Sequence, residues 1–97
     1  MRALRISPRA AADLDEIGEY IARDNPERAT TFVEELRGAC EGLCANPYAY
    51  PPRPEIAPEV RMAVHGRYLI FFRVLSSEVR VDRVLHGARN LRSAWEP

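Results

Sequence analysis

The stretch EVRMAVHGRYLIFFRVLSSEVRVDRVL, from Glu59 to Leu85, holds three runs of strand-forming residues and two turn signals. EVRMAV (Glu59 to Val64) alternates, with Val60, Met62 and Val64 on one side, as a half-buried strand does. His65-Gly66 reads as a two-residue hairpin turn, with glycine where a positive φ is wanted. RYLIFFRV (Arg67 to Val74) is apolar on both faces, as in a central strand. Ser76-Ser77 makes a second turn, and EVRVDRVL (Glu78 to Leu85) points Val79 and Val81 inward. The expectation is a three-stranded antiparallel meander. Arg83 breaks the alternation of its strand, which marks a candidate bulge.

Upstream, ANPYAYPPRPEIAP (Ala45 to Pro58) has five prolines in fourteen residues, so it is neither helix nor central strand but a stiff crossover. Before it lie two helices. Ser7-Pro8 supplies an N-cap and a first-turn proline, and Ala10, Leu14, Ile17 and Ile21 form an apolar stripe. Asn25-Pro26 stops that helix and caps the next, which carries Phe32, Val33, Leu36, Cys40 and Leu43 to about Ala45. The short link forces an antiparallel helical hairpin. RALRI (2–6) is a short opening strand, and Ala88 to Trp95 a closing helical segment. The result is one α+β domain over 1–97, ordered β-α-α-β-β-β, with the hairpin on one face of a small, mainly antiparallel sheet and a short C-terminal helical tail.

On this alternation the helices cover Leu4, Ile6, Val60, Met62, Val64, Ile70, Phe72, Val74, Val79 and Val81. The other face shows Arg5, Arg61, Arg73 and Arg80 around Leu69 and Phe71. Two large apolar side chains amid arginines need a cover, from the Trp95 segment or from a partner.

Composition bounds the chemistry. All fourteen cations are arginine, so no amine can act as general acid, Schiff base or P-loop cation. Residues 1–50 hold six arginines against nine acids and residues 51–97 eight against five, which makes the second half the basic one. Cys40 and Cys44 share a helix face as small apolar packing; a metal site would need further ligands, and both histidines are distant. No metal or cofactor is expected. No window approaches the roughly 18–20 apolar residues of a membrane span, and the N-terminus lacks a secretory core, so a cytoplasmic protein is expected.

The order of elements, with SPRAAADLDEIGEYI, ANPYAYPP, RYLIFFRV and above all VRVDRVLHGAR, resembles the ParE/RelE superfamily of bacterial type II toxins over essentially the whole chain. The local matches are ParE-like. RelE-like members cut messenger RNA with basic residues and commonly a terminal tyrosine. Against that pattern Leu69 stands where the branch has a catalytic arginine, its lysines have no counterpart, and Trp95 replaces the tyrosine. An indole cannot exchange a proton near neutral pH. Only Arg89 matches, with His86 as a spare general base; His65, in the turn, reads as structural.

The resemblance therefore implies a toxin that binds and inhibits DNA gyrase without being an enzyme. Arg83, His86, Arg89, Arg92 and Trp95 are the candidate target contacts. It implies a hetero-oligomer with a ParD-like antitoxin, for which Tyr20, Phe32, Arg61, Leu69, Phe71 and Arg73 are the candidate contacts, and no sequence-specific DNA binding by this chain. Two alternatives stand beside it: a RelE-like ribosome-dependent endonuclease using Arg89 with His86, and a non-toxic antitoxin-binding adaptor or co-repressor.

Overall fold

The computed structural model describes residues 1–88 and Trp95. β1 (Ala3–Ile6) leads into α1 (Pro8–Ala22) and α2 (Pro26–Gly42), followed by a single 3-10 turn (Pro47–Ala49) and then β2 (Arg61–His65), β3 (Tyr68–Val74) and β4 (Glu78–His86). The strands form one sheet in the order β1-β4-β3-β2, with β1 parallel to β4 and the other pairs antiparallel. This is the expected α+β arrangement, the hairpin covering one face. Of the expected closing helix, Ala88 lies in a turn and Trp95 has helical backbone; its remaining residues lie outside the described ones.

Both helices start where their caps require. The Ser7 hydroxyl oxygen accepts from the Ala10 amide at 3.1 Å, and Asn25 Oδ1 accepts from the Arg28 amide at 3.1 Å. Ser7 also donates to the Asp82 carbonyl, so one residue ends β1, opens α1 and fastens both to β4. At Gly18 a Cβ would stand 3.3 Å from a Val33 methyl; the bare backbone there lets α1 and α2 pack closely. The main core lies between hairpin and sheet, with Leu14, Leu36, Ile70, Phe72, Val79 and Val81 almost fully buried. Cys40 and Cys44 are free and buried in it, and burial pushes the Cys40 thiol up to about 11.

Two features of the meander differ from the sequence reading. The turn is Gly66-Arg67, not His65-Gly66, because His65 pairs with Tyr68; Gly66 has φ 60°. A two-residue turn places paired residues on one face, so Met62 goes with Phe71 and Val64 with Leu69. Val60, Met62 and Val64 are therefore turned away from the helices. Arg61, Ala63 and His65 share the hairpin side with Phe72, Ile70 and Tyr68. The more apolar face of β2 faces away from the larger core because a second, smaller core lies behind the sheet. There Ala57, Val60, Phe71 and Leu85 are buried, with Ile56, Met62, Leu69 and Trp95 packed against them. The expected bulge is present: Phe71 pairs with Arg83 but Phe72 with Val81, which leaves Asp82 as the extra residue of β4.

Candidate functional site

Where β1 ends at Ile6, the outer edge of β4 loses its strand partner, and α1 crosses the gap. Asp13 lies on the buried stripe of α1 with Ala10, Leu14 and Ile17. Its carboxylate accepts from the Val84 amide at 2.9 Å and from Arg83 Nε and Nη2 at 2.8 and 2.9 Å. One side chain thus satisfies an orphaned edge amide and neutralises a buried guanidinium, whose pKa is raised chiefly by the Asp13 hydrogen bonds. Arg83 is only 6% exposed. Its expected role as a target contact is corrected: the side chain is committed to holding α1 on β4.

Beyond this pair the helix and the sheet diverge into a cleft of about 510 Å³, lined by Glu16, Ile17, Tyr20, Ile21, Arg67, Tyr68, Val84, Leu85 and His86 as well as Asp13. Its floor is aliphatic and its rim polar. Tyr20 is 66% exposed here, a large apolar ring with little covering it. His86, at the end of β4, stands edge-on to Tyr68 with centroids 5.2 Å apart, and its Nδ1 accepts from the Ala88 amide at 3.1 Å. In the neutral ring that places the proton on Nε2, so the nitrogen facing away from the backbone donates rather than accepts. Burial pushes the Tyr68 phenol up, and nearby Tyr20 adds to the shift, so it too stays protonated at neutral pH. The cleft therefore combines apolar surface and the donors of Arg67, Tyr68 and His86 with the Glu16 carboxylate at its rim.

The structure separates the other residues singled out from sequence. Phe32 is half-buried against Tyr68 and His65, with the Arg28 guanidinium over its ring, outside the cleft lining. Leu69 and Phe71 do not form an open patch: Phe71 is fully buried, and the Trp95 ring meets it edge-on at 5.5 Å. Crossover residues Ile56, Ala57 and Val60 supply the rest of that cover. Arg61, expected beside them, faces the hairpin side and donates to the Tyr50 carbonyl. Arg73 keeps its expected face, in register with Arg80, and the bulge residue Asp82 bonds both at 2.8 and 2.7 Å. Arg89 and Arg92 lie outside the described residues. Among the expected target contacts, His86 lines the cleft while Trp95 lies behind the sheet, so these two do not share a surface. Among the described residues no group of histidine, cysteine or carboxylate side chains could hold a metal ion, and no helix is long and apolar enough to cross a membrane.

Of the cleft residues, the sequence marks Ile17 and Ile21 only as part of the helix's apolar stripe, and does not single out Glu16, Arg67 and Tyr68 for a site. A usable signal was present for one buried partner: Asp13 falls three residues after Ala10 and four before Ile17, in the apolar stripe.

Comparison with known proteins matches the family described as ParE toxin of type II toxin-antitoxin system, parDE, across residues 4–91. The chain belongs to the ParE toxin family. Toxin ParE1 of Caulobacter vibrioides is 33% identical over 94 residues, covering 96% of this chain and 97% of that protein. A solved chain from the chromosomal ParDE TA system of P. aeruginosa superposes with a TM-score of 0.77 at 28% identity, covering 89% of this chain and 96% of the other. A chain of the toxin-antitoxin complex RelBE2 from Mycobacterium tuberculosis gives a TM-score of 0.61 at 22% identity over 88% and 96%, and supports the fold alone. This ParE family member is therefore a toxin of a type II toxin–antitoxin system.

Proposed function

We propose that this ParE family toxin acts by binding DNA gyrase rather than by catalysis, and that a ParD-like antitoxin neutralises it in a cytoplasmic hetero-oligomer. The observation that carries the reading is the cleft between α1 and the β3–β4 end, open and apolar-floored, with His86 Nδ1 occupied by a backbone amide and the Tyr68 phenol kept protonated by burial. RNA cleavage would need a base for the ribose hydroxyl and an acid for the leaving oxygen. His86 has its Nδ1 engaged by Ala88, and Arg83 is engaged by Asp13. The same cleft suits an amphipathic helix of the antitoxin, anchored on Ile17, Tyr20 and Tyr68.

The test is expression of the chain alone, with gyrase supercoiling and DNA-cleavage assays on purified protein. Inhibition of gyrase, preserved in His86→Gln, supports the reading. Messenger cleavage on translating ribosomes that disappears in His86→Gln would overturn it in favour of the endonuclease. Normal growth at confirmed soluble expression would favour the adaptor. Antitoxin occupancy is checked separately: Tyr20→Ala with Ile17→Asn should weaken antitoxin binding at least tenfold, about 1.4 kcal/mol or more.

A further inference from the structure

Of the arginines on the sheet and crossover, most meet a carboxylate: Arg73 and Arg80 share Asp82, Arg5 faces Glu78, and Arg53 faces Glu55. Arg2 and Arg61 do not; among the described residues neither takes part in an ion pair. Both are nonetheless held in place. Their guanidinium carbons lie 5.4 and 5.0 Å from the centroid of one ring, Tyr48. A backbone carbonyl fixes each: Arg2 Nε donates to Leu75 at 2.9 Å, and Arg61 Nη1 to Tyr50 at 2.6 Å. Two cations gathered at one ring without a counter-ion leave a preorganised anion site, because their positioning does not wait on the ligand.

Beside them is a cavity of about 250 Å³ walled by Pro52, Val74 and Leu75, with Tyr48, Arg61 and Arg73 at its polar side. Leu75 is 37% exposed and Tyr48 59%, so apolar surface lies open beside charge. Glu59 also lines the cavity, in a left-handed conformation with φ 62°. With guanidinium groups already over the ring, the corner suits a carboxylate and an aliphatic side chain better than a stacked nucleobase.

We propose that this corner, formed by Arg2, Tyr48, Arg61 and the Val74–Leu75 wall, docks an acidic peptide segment. Carboxylates engage Arg2 and Arg61, and an aliphatic side chain enters the cavity. The site is distinct from the cleft: Tyr68 lines the cleft and Val74 this cavity, at opposite ends of β3, about 20 Å apart for a strand of that length. The proposal therefore does not depend on what fills the cleft or on gyrase. Glu59 opposes the ligand's charge and sets its direction, keeping the carboxylates towards Arg2.

The test is fluorescence anisotropy with a labelled short peptide of glutamates and two leucines, alongside its glutamine counterpart and a labelled single-stranded oligothymidine. The glutamate peptide should bind, lose affinity with added salt, and bind more tightly than the glutamine peptide. Arg2→Gln with Arg61→Gln should weaken it about tenfold, as expected for losing two partly exposed ion pairs, and Glu59→Gln should tighten it. Arg61 also holds the crossover, so Arg2→Gln alone, with an unchanged melting curve, carries the result in a folded protein. Absence of binding, equal affinity for the glutamine peptide, or unchanged affinity in Arg2→Gln would overturn the proposal. So would tighter binding of oligothymidine through the same arginines, which would assign the corner to nucleic acid.

Discussion

Replacing Asp13 by alanine should be among the most damaging single changes available on α1, although the residue is small and polar. The carboxylate takes three hydrogen bonds, two from Arg83 and one from the Val84 amide, and both charged side chains are almost fully buried. In Asp13→Ala the buried guanidinium loses its hydrogen-bonded carboxylate, with Glu16 acting on it only at longer range, and an edge amide of β4 loses its acceptor. Breaking one side of a buried pair costs about 3–5 kcal/mol. For a domain of this size each kcal/mol lowers Tm by about 4–8 °C, so a fall of at least about 12 °C is expected. Urea denaturation monitored by circular dichroism gives the free energy independently. Asp13→Asn should fall between, since its amide can accept from one donor but opposes another. The double variant Asp13→Leu with Arg83→Met should recover much of the loss, because removing both partners avoids the orphaned charge. A loss below about 1 kcal/mol in Asp13→Ala, or additive losses in the double variant, would refute the claim that this pair fastens α1 to β4.

Further expectations concern the second core, the thiols and the turn. Trp95 is the sole tryptophan, so its emission should be blue-shifted in the native protein, and Phe71→Leu should move it towards the solvent value if the edge contact at 5.5 Å seats the ring. Cys40 should resist alkylation at pH 8 until urea is added. Its thiol is raised from an ordinary value near 9.0 to about 11, so its contribution to stability is present below pH 9 and is lost as pH rises towards 11. Cys40→Ala should remove that part of the alkaline slope. Gly66→Ala should cost about 1 kcal/mol, because φ is 60° at that turn position; an unchanged melting temperature would show that the hairpin shifts to another turn.

Much of the fold was legible because local chemistry and pattern agreed. Ser7-Pro8 and Asn25-Pro26 start the helices as expected, the proline run breaks regular structure between hairpin and meander, and three strands follow in order. The face of β2 was not legible, since strand alternation says which residues share a side but not which core they enter. Val60 and Met62 are the more apolar set and were assigned to the larger core. They instead complete the smaller one behind the sheet with Phe71 and Leu85, which alternation alone cannot reveal. The same misassignment placed Arg61 beside Phe71 and left Val60 and Met62 out of the cover, of which the Trp95 part was expected. The cleft was less legible still, because it depends on how far α1 diverges from β4 after Asp13.

Two local irregularities in the sequence were really one feature. Asp13 interrupts an apolar helical stripe, and Arg83 interrupts an apolar strand; each reads separately as a flaw. A buried acid is tolerated only with a partner, and the chain supplies a cation where the alternation of β4 fails. The pair joins residues seventy apart and sits at the root of the cleft, so the geometry of that opening is tied to a polar contact rather than to aliphatic packing. Charge is layered in the same way. Residues 8–42 hold four arginines against nine carboxylates, which leaves ten against five for the rest of the chain. Among the described residues, folding gathers the acids on the hairpin and leaves the sheet and crossover with eight arginines against four carboxylates. An anionic partner is therefore steered to the sheet side, where Arg2 and Arg61 are, among the described residues, two cations gathered at one ring without a carboxylate, and salt should slow its association before it changes the apolar contacts that hold it.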